Sequence, residues 1–312
     1  MGEVLLEGRN LAKSYTTRAK GRRPETLLAV DDVSLRVHQA QTLAVVGESG
    51  SGKSTSARLL SLLIPATAGS VYLEGTDVTQ ATDSHLRTFR RNVQLVFQDP
   101  YSSLNPRHDV ERIVSAPLRY QGIRTKVSYR TRVKDLMARV GLNPDHSTRY
   151  PHQFSGGQAQ RIGIARALAV NPKVVICDEA VSALDVSVQA QVIDLLQDLK
   201  RDLGLSYLFI AHDLAVVREI ADQVAVMHKG KVVEQGSCAQ IFDAPGQAYT
   251  QELLAAVPRI PTEWDAARIR AEAASAAATA ETDETAAADE TTAADEADDA
   301  ATSQRRKDDQ HR

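Results

Sequence analysis

Gly47-Glu-Ser-Gly-Ser-Gly-Lys-Ser-Thr55 decides how the rest of the chain is read. Its spacing, G-x-x-x-x-G-K-[ST], puts Gly47, Gly52, Lys53 and Ser54 at the fixed positions of a phosphate-binding loop. Thr42 to Val46 just before it is a short apolar, β-prone run. Thr55 to Leu63 just after it has apolar residues at helical spacing, and Ile64-Pro65 is expected to end that helix. Glycines let backbone N–H groups close around an anion, and the following helix adds its positive end. Lys53 can reach the outer phosphates, and the Ser54 hydroxyl can ligate Mg²⁺. Glu48, Ser49, Gly50, Ser51 and Thr55 complete the candidate phosphate-binding set.

The chain has 312 residues, enough for one large domain or two small ones. Its net charge of −3 is unevenly spread: from Glu263 onward there are 14 acidic and 6 basic residues, leaving residues 1–262 at +5. That excess is too weak to argue for nucleic acid, and none is expected as a partner. Cys177 and Cys238 are the only cysteines, so neither a disulfide framework nor a cysteine-only metal site is available. A reducing cytoplasm suits that usage. The start, MGEVLLEGRNLAKSY, does not read as a secretory signal. No run of 18 apolar residues occurs, so any membrane role is expected to act through a partner.

Residues 3–8 and 32–37 alternate like strands, with a basic, turn-rich loop expected over Thr16 to Pro24. Short strands follow at Ser70 to Leu73 and Asn92 to Phe97. From about 100 to 169 strand signals stop and helical spacing takes over, as at Val133, Leu136, Met137 and Val140. Strands return at Lys173 to Cys177 and Tyr207 to Ala211. Between them lies a helix with Val188, Val192, Leu195 and Leu199 on one face, closed by Gly204. Val224 to Met227 and Lys231 to Glu234 read as a hairpin through Lys229-Gly230. Strands alternating with helices imply an α/β domain with a largely parallel sheet. Beyond Pro261 the sequence becomes Ala, Glu, Asp and Thr, with Trp264 the only aromatic; residues 263–312 are expected to be disordered.

Two further motifs carry chemistry. Val174-Val-Ile-Cys-Asp178-Glu179 is an apolar strand ending in two carboxylates. Beside a phosphate loop, Asp178 can hold Mg²⁺ and Glu179 can orient or deprotonate an attacking water. Phe154-Ser155-Gly156-Gly157-Gln158 opens a helix at Ala159 to Leu168. On physical grounds that stretch is either a second anion site or simple N-capping with loop glycines.

Taken in order, these motifs resemble an ATP-binding-cassette (ABC) ATPase over residues 3–236: the phosphate loop, Gln98, Phe154-Ser-Gly-Gly-Gln158, Asp178-Glu179, Ala183-Leu-Asp185, and His212 after a strand. The resemblance implies a P-loop core with a mostly parallel sheet, an N-terminal antiparallel β part, and a helical subdomain facing a transmembrane partner. It implies ATP and Mg²⁺ as ligands. Two cassettes would pack head to tail, each ATP lying between one phosphate loop and the Ser155, Gly156, Gly157 and Gln158 of the other chain. Gln98 would sense nucleotide and stand with Ser54 and Asp178 at Mg²⁺. Asp185 would couple the two sites, His212 would hold the γ-phosphate and the water, and Tyr15 would stack on adenine.

A narrower resemblance is to the ATPases of oligopeptide and dipeptide importers. Three stretches carry it: Val96-Phe-Gln-Asp-Pro-Tyr-Ser-Ser-Leu-Asn-Pro-Arg107, His152 to Leu168, and Ala248-Tyr-Thr-Gln-Glu-Leu-Leu-Ala-Ala-Val-Pro258. It implies a nucleotide-binding domain over 1–262, with an importer-type extension from about 237. It also implies a second cassette, sister chain or self, two permease subunits, and indirectly an extracytoplasmic binding protein. The protein would sit peripherally at the cytoplasmic face of the membrane. Nickel or another small solute, or a soluble non-transport ABC ATPase, are the alternatives. The chain departs from the family in having Ala180 where proline usually follows the glutamate, and Gln247-Ala248-Tyr249-Thr250 where His-Pro-Tyr-Thr is usual.

Overall fold

The computed structural model describes residues 2–17 and 25–256, so the acidic tail and most of the basic loop lie outside the described residues. The chain opens with two long strands, β1 (Val4–Thr17) and β2 (Glu25–His38), paired antiparallel. Both outrun the alternation read from sequence, and Thr16 and Thr17 belong to β1 rather than to the expected loop. The pairing is irregular around Gly8 to Leu11. Asn10 and Asp32 there have φ of 48° and 56° and are joined by a 2.7 Å hydrogen bond from Asn10 Nδ2 to Asp32 Oδ1. Such bulges shift side chains to the other face and hide the period-two signal.

Then come β3 (Thr42–Val46), the phosphate loop and α1 (Lys53–Leu60). The helix stops at Leu60, short of Pro65, because the chain turns at Leu62 with φ 52°. β4 (Ala68–Leu73) and the short β5 (Thr76–Asp77) complete a four-stranded antiparallel sheet, ordered β2-β1-β4-β5. A polar helix, α2 (Asp83–Asn92), leads into β6 (Val93–Val96).

The stretch with helical texture is helical: α3 (Pro100–Ser103), α4 (Val110–Tyr120), α5 (Tyr129–Arg139), two 3₁₀ turns and α6 (Gly156–Leu168). The remaining elements are β7 (Val174–Asp178), α7 (Val186–Leu203), β8 (Ser206–Ile210), α8 (Leu214–Ile220), β9 (Gln223–His228), β10 (Lys231–Ser237), α9 (Cys238–Asp243) and α10 (Ala248–Ala255). Gly204 closes α7 in the left-handed conformation, φ 63°. The buried face of α7 is Val192, Ile193, Leu196 and Leu199, so Val188 is freed to meet a neighbour.

The second sheet has six strands in the order β10-β9-β3-β8-β7-β6, parallel except for the β9–β10 hairpin. Every residue of β3, β7 and β8 is buried, as expected for parallel strands covered on both faces. One apolar cluster lies between the two sheets and α1, and the other joins the parallel sheet to α4, α5, α6 and α7. The register decides the site. Val45 and Asp178 both pair with Ile210, so the ends of β3, β7 and β8 stand level. Ligands of open α/β sheets bind at such carboxyl ends.

Candidate functional site

The phosphate loop leaves β3 at Gly47, whose φ of 143° suits glycine alone. A Cβ there would stand 2.1 Å from the Met227 carbonyl oxygen, so the backbone of β9 forms one wall of the loop. The hairpin turn adds a hydrogen bond from the Gly230 N–H to the Ser51 carbonyl at 2.9 Å. Lys53, 4% exposed, donates from Nζ to the carbonyls of Gly47 and Glu48, each at 2.8 Å. Burial pushes its ammonium below the ordinary lysine range, and the Glu179 and Asp178 carboxylates push back. The lysine predicted to meet phosphates is therefore already desolvated, with two anions near it.

Those carboxylates come from the end of β7. Asp178 is buried, and its Oδ1 has no hydrogen-bond partner. The Ser51 hydroxyl is buried and unpartnered too. An orphaned carboxylate oxygen beside a phosphate loop, with hydroxyl and amide oxygens as the other candidate donors, fits a hard cation such as Mg²⁺. Ser54, Asp178 and Gln98 are the residues that could hold it.

Glu179 occupies a strained position for a non-glycine residue, φ 51°. Its N–H donates to the Ile210 carbonyl at 3.1 Å, and its own carbonyl accepts from the Ser182 N–H at 3.1 Å and hydroxyl at 3.0 Å. These bonds fix the turn although Ala180, 2% exposed, stands where proline is usual. Glu179 Oε2 accepts from Gln98 Nε2 at 2.8 Å, and His212 Nδ1 stands 3.9 Å from the same oxygen. Gln98 also donates to the Ser182 hydroxyl at 3.3 Å. Four elements thus converge: the phosphate loop, the residues after β6, the end of β7 and the residues after β8. Ser182, inside the recognised Asp178-to-Asp185 stretch, is a site residue that sequence reasoning missed.

Ser155 caps α6. Its Oγ accepts from the Gln158 N–H at 3.4 Å while Gln158 Oε1 accepts from the Ser155 N–H at 3.1 Å. The capping reading of this motif is realised, and the helix start remains a presentable anion site. A Cβ on Gly157 would stand 2.3 Å from Val188 Cγ1, and one on Gly156 would stand 3.6 Å from Leu184 Cδ2. The Ser155-to-Gln158 stretch therefore packs against the stretch that carries Asp185. Asp185 is exposed and begins α7 without a side-chain cap bond, which leaves its carboxylate available.

The segment after Gln98 is tied to α6 by Tyr101 Oη to the Phe154 carbonyl at 2.8 Å, Gln160 Nε2 to the Phe97 carbonyl at 3.3 Å, and Arg166 Nη1 to the Ser103 carbonyl at 2.6 Å. Among the described residues, no hydrogen bond joins 155–158 to 47–55. Tyr15, 40% exposed near the end of β1, has Lys13 Nζ 5.4 Å from its ring centre.

Comparisons with known proteins agree with this geometry. The family model described as ABC transporter matches residues 30–182. The dipeptide transport ATP-binding protein DppF of Escherichia coli (strain K12) is 48% identical over 269 residues, 86% of this chain and 80% of that protein. The oligopeptide transport ATP-binding protein OppF of Salmonella typhimurium is 52% identical over 236 residues, 75% of this chain and 71% of that one. The glutathione import ATP-binding protein GsiA of Shigella flexneri is 49% identical over 259 residues, but the chain spans only 42% of its length. A solved dimer of the ATP-binding cassette MJ0796 in a post-hydrolysis state, bound to ADP and Pi, superposes with a TM-score of 0.67 at 28% identity. It covers 75% of this chain and 99% of that one. On its motifs, the level ends of β3, β7 and β8, and these relatives together, the chain belongs to the ABC transporter family.

Proposed function

We propose that this chain hydrolyses MgATP as one of two cassettes that power the uptake of short peptides through separate permease subunits. Residues 1–262 form its nucleotide-binding domain. The observation that carries the reading is the convergence of Lys53, Asp178, Glu179, Gln98 and His212 at the ends of β3, β7 and β8. The loop N–H groups and Lys53 bind the phosphates. Asp178, Ser54 and Gln98 hold Mg²⁺, which when bound neutralises charge developing on the phosphates. Glu179 takes the proton of the attacking water, and His212 holds the water and the γ-phosphate in line. Tyr15 offers its ring to adenine.

The Ser155 helix start, joined by no hydrogen bond to the phosphate loop of its own chain among the described residues, supports a head-to-tail pair in which each such helix start completes the partner's site. The partner is a copy or a sister cassette. Peptide cargo is inferred from the names of DppF, OppF and GsiA. The binding protein that delivers cargo acts on the permease, and the cassette itself lies at the cytoplasmic face. Among the described residues no helix is long and apolar enough to cross a membrane, and in this reading the permeases hold the cassette there.

The test is phosphate release from ATP by the purified chain, alone and with its permease, with and without Mg²⁺. Absence of Mg²⁺-dependent turnover in the assembled transporter would sink the proposal. A second measurement addresses pairing. Ser155→Arg should leave ATP binding by the single chain unchanged, abolish the ATP-dependent dimer seen by mass, and lower turnover at least tenfold. A dimer of normal stability would exclude the head-to-tail arrangement.

A further inference from the structure

The peptide-importer extension was singled out in the sequence, and no role above uses it. Its structure gives it one. Glu234, on β10, accepts the N–H groups of Gly246 at 2.7 Å and Gln247 at 3.2 Å, fixing the entry to α10. From the first turn of α10, Tyr249 lays its ring on that of His228, with centroids 3.9 Å apart. Its hydroxyl then reaches a residue 201 positions earlier, accepting the Glu48 N–H at 3.3 Å. Burial holds the phenol above its ordinary range, so the hydroxyl stays neutral.

The Glu48 N–H and the Gly47 carbonyl belong to the same peptide group. Lys53 Nζ holds its oxygen at 2.8 Å, and Tyr249 holds its N–H. This is the first peptide of the phosphate loop, where the chain turns out of β3 under Met227. The Lys53 ammonium has three donors and spends two on the Gly47 and Glu48 carbonyls, so the third can reach a phosphate while the peptide oxygen stays held. Tyr249 restrains the other side of the peptide, anchored by its ring to the hairpin that also holds Ser51 through Gly230.

We propose that Tyr249 is a positioning residue for nucleotide binding: the C-terminal extension holds the N–H side of the Gly47–Glu48 peptide in the binding geometry, opposite the hold of Lys53 on its oxygen. The proposal rests on the reading of this loop as the ATP site.

The experiment is calorimetric titration of the full chain with MgADP and MgATP, with steady-state kinetics and thermal melts beside it. Tyr249→Phe keeps the ring on His228 and removes only the hydroxyl. It should weaken both nucleotides about three- to tenfold, the range of one lost hydrogen bond. KM should rise with it, kcat at saturating ATP should stay near wild type, and the melting temperature should not move. Glu234→Gln, which loosens the extension without touching Tyr249, should shift affinity in the same direction. Wild-type affinity in Tyr249→Phe would overturn the proposal. A melting temperature that falls in step with affinity would overturn it too, because the residue would then brace the fold and not the loop. A wild-type chain that fails to bind either nucleotide would instead overturn the reading of the ATP site.

Discussion

Glu179→Gln should bind MgATP with near wild-type affinity and turn it over about 10²–10⁴-fold more slowly, the usual cost of losing a general base. The substitution is nearly silent structurally. A glutamine oxygen can still accept from Gln98 Nε2, and the backbone bonds to Ile210 and Ser182 do not involve the side chain. Asp178 and Lys53 are untouched, so the grip on phosphate survives. Such a cassette should accumulate as a closed, ATP-loaded pair, because in the proposed head-to-tail arrangement the Ser155 helix start of each chain would still meet the other's nucleotide. Nucleotide affinity, single-turnover rate and dimer mass measure the three parts. Turnover at the wild-type rate would remove Glu179 as the base and leave His212, 3.9 Å away, as the group to examine.

Gly47→Ala should fail at an earlier stage. At φ 143° any L side chain is strained, and the added carbon meets the Met227 carbonyl oxygen at 2.1 Å, backbone against backbone. No rotamer relieves that contact, so β3 or β9 must move. Strain alone costs roughly 1–3 kcal/mol, and the clash adds to it. A melting-temperature loss of several degrees should follow, with nucleotide binding too weak to titrate. Gly50→Ala is the control for stability. Its φ is 80°, but nothing lies within 4 Å of the new carbon, so only the strain remains. Equal melting temperatures for the two variants would show that the wall formed by β9 yields.

Much of this site was legible because its chemistry is local. Gly47 to Thr55, Asp178-Glu179 and Ser155 to Gln158 each sit at one strand end or one helix start, and spacing along the chain is spacing in space. The parallel sheet was legible for the same reason, since buried strands read as unbroken apolar runs. What stayed hidden depends on distant backbone. β1 and β2 outran their pattern because the residues flanking Asn10 and Asp32 change register. α2 went unread because only Phe89 of its ten residues is buried, so it has almost no apolar stripe. α1 ended early for a turn at Leu62 that no proline announces. Ser182 at Gln98 and Tyr249 at Glu48 join residues 84 and 201 positions apart, and nothing in either local sequence marks the contact.

The backbone at Glu179 has a bearing on how this protein can be engineered. A left-handed residue with a Cβ costs on the order of 1 kcal/mol relative to glycine. If Glu179 is the base proposed above, its carboxylate is needed there and that cost is kept in every working molecule. A laboratory selection for heat resistance that never asks for work would enrich glycine at position 179. The winners would be hardier proteins with dead engines. Any thermostabilisation campaign on this cassette therefore needs a transport or turnover screen at every round.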